Sequence, residues 1–118
     1  MSEQDRQSIG LTSQSQQLME EILAKGWFSE QQDVARLALA CALRAGMRPG
    51  TTSGVDTRWG SGLFDRTGEL LSLIGAFHPN AAMPVRAAEF FVNEGLRLVH
   101  DQLVVKAVGP DALMNLQE

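Results

Sequence analysis

Apolar residues recur at helical spacing in three stretches of this chain, and the middle stretch is apolar almost all the way round. The first runs through Leu18, Met19, Ile22 and Leu23, with Ser13 placed as N-cap, Gln16 three residues on, and Gly26 as the stop. The second begins at Ser29 with Gln32 as its reciprocal capping partner. From Val34 to Leu43 only Arg36 is polar, and Gly46 closes it. A helix apolar on every side is predicted to lie inside a core or between subunits. The third opens at Pro84, where the missing N–H costs nothing, and steps through Val85, Ala88, Phe91, Val92, Gly95, Leu96, Val99 and Leu103 to Gly109-Pro110.

The connecting segments are shorter or more polar. Ile9 and Leu11 alternate with Ser8 and Gly10 and predict a short strand after a polar arm over 1–10. Residues 48–62 read as a Gly-rich loop. Residues 63–77 fit either a hairpin around Asp65-Arg66-Thr67-Gly68 or, preferred here, a short helix carrying Leu70, Leu71, Leu73, Ile74 and Phe77. Trp27 and Phe28 occupy a tight connection and are expected to pack beneath the first two helices. The end, Asp111–Leu116, fits either one more turn or a frayed terminus. The expected fold is mainly α: one domain over 1–118, with four to five helices around a central apolar helix, Ser29–Ala45.

With 118 residues the chain has material for one modest core, and no apolar run approaches the roughly 18 residues of a membrane span. The N-terminus lacks the basic start and apolar block of a secretory signal, so a cytoplasmic location is expected. Cys41, the single cysteine, lies in the apolar helix and reads as a small hydrophobe. The net charge of −4 is unevenly spread. Residues 34–66 hold Arg36, Arg44, Arg48, Arg58 and Arg66 against Asp56 and Asp65, whereas both flanking thirds are acidic. Guanidinium forks suit phosphate or carboxylate, which makes Arg44, Arg48, Arg58 and Arg66 the candidate anion contacts. Scattered arginines are also ordinary solvated surface.

Catalytic signals are sparse. His78 and His100 have no cysteine or second histidine at ligand spacing, so no metal is expected, and no lysine lies between Lys25 and Lys106 to complete a phosphate loop. Gly60-Ser61-Gly62 does not continue into a dinucleotide fingerprint. Glu89 with Asn93, and Glu94 with Arg97 and Asp101, share helix faces and read as exposed sets. His100 and Asp101 are neighbours about 100° apart on a helix and cannot form a dyad. Ser53, Ser61 and Ser72 have no histidine near in sequence. No catalytic residue and no cofactor is predicted, and a small enzyme using the Gly-rich loop and His78 is the least supported reading.

The order from Ser8-Ile9-Gly10-Leu11-Thr12 through the Leu18/Ile22 helix, Gly26-Trp27-Phe28-Ser29 and Asp33-Val34-Ala35-Arg36-Leu37-Ala38 resembles a ribbon-helix-helix unit. Taken together, the Asp33-Val34 helix, Leu70-Leu71-Ser72-Leu73-Ile74-Gly75-Ala76 and Glu89-Phe90-Phe91-Val92-Asn93-Glu94-Gly95-Leu96 resemble small accessory proteins of bacterial DNA phosphorothioation (Dnd) systems. The resemblance implies a helical protein of DNA modification and restriction, with some members oligomerising and contacting DNA; it transfers no catalytic residue. Strands that read bases present Lys, Arg, Asn or Gln outward, whereas one face here offers Arg6, Ser8 and Gly10, so phosphate contact is the expected mode. The expectation is a noncatalytic DNA-associated module that forms homo-oligomers. The alternative is an oligomeric protein-interaction scaffold.

Overall fold

A computed structural model of the chain describes residues 4–107. The expected helix stop at Gly109-Pro110 and the turn over 111–116 lie outside them. The elements run β1 (Ser8–Thr12), α1 (Ser13–Leu23), α2 (Gln31–Arg44), β2 (Val55–Gly60), α3 (Ser61–Phe64), α4 (Glu69–Phe77) and α5 (Pro84–His100), which continues into a π-helical turn at Asp101–Val105. Helices dominate, joined by one two-stranded antiparallel sheet. No helix among the described residues is long and apolar enough to cross a membrane.

The mutual packing of α2 and α5 forms the centre. Val34, Ala35, Ala38, Leu39 and Ala42 on α2 meet Ala88, Phe91, Val92, Leu96 and Val99 on α5 in a single core, all of them fully or almost fully buried. Gly95 allows that approach: a Cβ there would overlap the carbonyl of Ala38, so the two backbones touch where a side chain would hold them apart. The all-round apolar character of α2 is met largely within the chain, so its burial does not require a second copy. The expected Ser29–Ala45 helix shares the centre with α5, which also touches α1, α4, β1 and its own π turn.

Element boundaries follow local chemistry, with some reassignment. The cap of α1 is Thr12 rather than Ser13: its Oγ1 accepts from Ser15 N at 3.0 Å. The expected Ser29–Gln32 box does not form; Glu30 holds the N-cap position of α2 without a side-chain bond. At the other end Gly46, at φ +76°, donates to Leu43 O and Met47 donates to Ala42 O, a Schellman stop. The stretch 48–62 is not loop throughout, because Val55–Gly60 pair with β1 and Ser61 starts α3. Over 63–77 both candidate signals are used: Gly68 N donates to Asp65 O, closing a turn, and a helix follows. Trp27 is 43% exposed instead of packed under the helix pair, while Phe28 is half-buried against the core.

Candidate functional site

Glu89 and Asn93 are not an exposed pair. They are 1% and 2% exposed, one turn apart on α5, and both are aimed at the edge of β1 that β2 leaves free. Glu89 Oε2 accepts from Gly10 N at 2.9 Å, Asn93 Oδ1 accepts from Thr12 N at 3.1 Å, and Asn93 Nδ2 donates to Gly10 O at 3.0 Å. These two side chains do for β1 what a third strand would do, satisfying alternate backbone groups along one edge. Asn93 Nδ2 also donates to Glu89 O at 2.8 Å, which fixes its own rotamer.

Arg6 completes the clamp. Its Nη1 lies 2.6 Å from Glu89 Oε1, and its Nη2 donates to Thr52 O at 3.0 Å, so one guanidinium ties the N-terminal arm, α5 and the segment before β2. Gly50 reinforces this tie, since a Cβ there would lie 2.8 Å from the Phe90 ring. Burial raises the Glu89 carboxyl above the ordinary carboxylate value, and the Gly10 N–H with the Arg6 and Arg86 charges offset only part of the rise. Asp5, next along the arm, accepts from Val85 N and Arg86 N at 2.9 Å each and thereby caps α5 from a distant part of the chain. The expected polar arm is therefore docked from Asp5 onward. These charged groups have structural partners, and none is arranged as an acid–base pair.

Beside this clamp runs a groove between the chain after α2 and the α4–α5 connection. A cleft of about 730 Å³ is lined by Arg48, Pro49, Phe77, His78 and Asn80 among others. A smaller one of about 270 Å³, sharing Pro49 and Ala81 with it, extends to Met83 and Arg86. Among the described residues, no carboxylate lines either cleft. The His78 ring stacks on Phe91 with centroids 5.6 Å apart, and its Nε2 is buried without a hydrogen-bond partner. His78 therefore forms part of the groove's wall and does not present that nitrogen to solvent.

The four candidate arginines do not share one surface pocket. Arg48 lies exposed in the groove. Arg66 lines a separate cleft of about 270 Å³ with Arg36, Asp65 and Glu69. Arg58 is the extra residue of a β-bulge, because Ile9 pairs with Trp59 and Gly10 with Thr57, and it is exposed on β2. Arg44 ends α2 half-buried, with its charge felt by Cys41. Arg36 is occupied: its Nε donates to Phe64 O at 3.0 Å and its guanidinium lies over the Phe64 ring.

The remaining titratable candidates are surface pairs or inert groups. His100 meets Glu21 at 3.1 Å, and Glu94 meets Arg97 at 3.4 Å, while Asp101 pairs with Lys106. Cys41 is buried, and desolvation raises its thiol despite Arg44 nearby. No group of three or more His, Cys, Asp or Glu among the described residues is placed to hold a metal ion. The clamp left one trace in the sequence: Glu89 and Asn93 occupy positions that extend the Val85, Ala88, Val92, Leu96 stripe, where polar residues are out of place unless satisfied. Arg6 and Asp5 left none, since the groups they tie to lie at Thr52 and on α5, far along the chain.

Compared with known proteins, the chain matches no family model, no curated protein and no solved structure.

Proposed function

We propose that this chain is a noncatalytic, DNA-associated accessory module of a bacterial DNA modification or restriction system. The groove that presents Arg48 with no carboxylate along its lining is the observation that carries the reading. A wall without acids leaves an approaching phosphate oxygen nothing to repel it, and an exposed guanidinium offers paired donors. Arg58 and Arg66 are secondary candidate phosphate contacts on other surfaces, and Arg44 ends α2 half-buried. The bacterial modification context rests on the resemblance of the α2, α4 and α5 segments to Dnd accessory proteins. The ribbon-helix-helix likeness is one of element order, since β1 is paired with β2 and clamped by α5 within the same chain.

Duplex DNA titrated across a salt series tests the reading. Affinity is expected to fall steeply as salt rises, with Arg48→Ala lowering both the affinity and the steepness, and Arg58→Ala or Arg66→Ala doing so by less. Absence of binding at low salt overturns it. The second reading, an oligomeric interaction scaffold, is favoured by a different observation: Leu63, Leu73 and Phe77 are 57%, 43% and 53% exposed on the α3–α4 side.

A further inference from the structure

We propose that the groove holds an unpaired nucleotide of bound DNA, its base stacked on Phe77 and its phosphate held by Arg48, which rests on the DNA-associated reading and narrows it to one DNA structure. A phosphate contact needs only the guanidinium. The aromatic ring beside it calls for a base.

Phe77 ends α4, lines the same cleft as Arg48 and Asn80, and is 53% exposed. Its ring takes no part in the core or in the partly buried shell packed against it, and among the described residues no other ring meets it. The fold makes no use of it. A large ring left in solvent on the wall of a cleft is a stacking platform, and every base has a π-face to set on it. In a duplex those faces are covered by neighbouring base pairs, so only an unpaired base reaches the ring.

Charge separates Phe77 from Leu73, the other large apolar residue that α4 exposes. Leu73 lines a cleft with Glu69, a poor setting for a polyanion, whereas among the described residues the cleft of Phe77 has no carboxylate. Arg48 and Asn80, both exposed, supply what a nucleotide requires: paired donors for phosphate, and an amide that donates and accepts for a base edge. Pro49 and Pro79 stiffen the backbone on the two walls, so little freedom is lost on binding. At about 730 Å³ the cleft has the size of a small-molecule site, enough for a nucleotide and far short of a duplex.

Fluorescence anisotropy of the full chain tests this with a blunt duplex, the same duplex carrying a short single-stranded thymidine overhang, and that duplex with an abasic overhang of equal charge. The thymidine overhang is expected to bind about tenfold tighter than the abasic one. Phe77→Ala and Phe77→Leu are each expected to remove this advantage without changing the salt dependence, and Phe77→Trp to keep it. Leu73→Ala is expected to change neither. Arg48→Ala is expected to weaken binding of all three DNAs and to flatten the salt dependence. Because Phe77 lies outside the core, its variants are expected to melt with the wild type, which separates lost stacking from misfolding. Equal affinity for the thymidine and abasic overhangs, or a preference that survives Phe77→Ala, overturns the proposal. Blunt-duplex binding with no overhang preference overturns it and spares the DNA-associated reading; no binding of any of the three at low salt overturns both.

Discussion

Helices α4 and α5 follow one another in the chain and invert the usual relation between hydrophobicity and burial. The more apolar of the two, α4, buries one residue, whereas α5 buries ten of its seventeen, including a glutamate and an asparagine. The difference lies in what surrounds each helix. Four other elements converge on α5, so even its polar side chains are enclosed and must be satisfied by β1 and Arg6. Only one side of α4 meets α5, through Ile74 and the His78–Phe91 stack, and its apolar outer face is left to solvent. Apolar character states what a helix can bury; the number of neighbours decides what it does bury.

Substitution of Gly95 has the largest expected effect on this contrast. Gly95→Val must push α2 off α5 at Ala38 and is expected to cost about 3 kcal/mol or more, read as loss of a cooperative unfolding transition at ambient temperature. The corresponding change on α4, Gly75→Ala, is expected to raise stability by somewhat under about 1 kcal/mol in a chemical denaturation series. If both glycines behave alike, the contrast fails.

Asn93→Asp follows in size. Aspartate cannot donate to Gly10 O and Glu89 O, and it places a second carboxylate beside Glu89, so about 2–4 kcal/mol is expected to be lost in urea unfolding. Asn93→Ala is expected to cost nearer 2 kcal/mol, from the unpaired backbone groups of Gly10 and Thr12.

The pH response is smaller and has a defined sign. Because burial raises the folded carboxyl of Glu89, its contribution is fully present below the unfolded value of about 4.3 and is lost as pH climbs through the raised folded value. The midpoint of thermal unfolding of Glu89→Gln, subtracted from that of the wild type at each pH from 4 upward, is expected to show the wild type losing ground. A difference that stays flat, or moves the other way, sinks this account of Glu89. Smallest of all, Leu73→Lys is expected to change the stability of the isolated monomer by no more than about 0.5 kcal/mol, measured at concentrations too low for association.

Much of the helix content was legible because its signals are local. The positions of α1, α2, α4 and α5, the Pro84 start and the Gly46 stop all follow from periodicity and from residues that act on their own backbone. The Ile9/Leu11 alternation likewise marked β1. What escaped depends on distant partners. β2 hides in a glycine-rich stretch because Val55-Asp56-Thr57-Arg58-Trp59 has no buried face of its own and becomes a strand only by pairing with β1. Two caps escaped for the same reason: α4 and α5 take theirs from Asp65 and Asp5, outside the N-cap position that a sequence motif inspects.

The candidate site divides along the same line. Arg44, Arg48, Arg58 and Arg66 are visible as an arginine excess, yet charge counting carries no information on direction, and the folded chain distributes them over different surfaces. The amino-acid sequence by itself determined a mainly helical chain with one all-round apolar helix and one long amphipathic helix, because propensity, capping and periodicity act over a few residues. Only the tertiary structure decided that Glu89 and Asn93 hold a strand edge, that Gly95 rather than Gly75 marks the contact inside the chain, and that Arg48 faces a groove without acids. Those outcomes depend on which distant backbone arrives beside each side chain, and hydrogen bonding and close packing act only at contact.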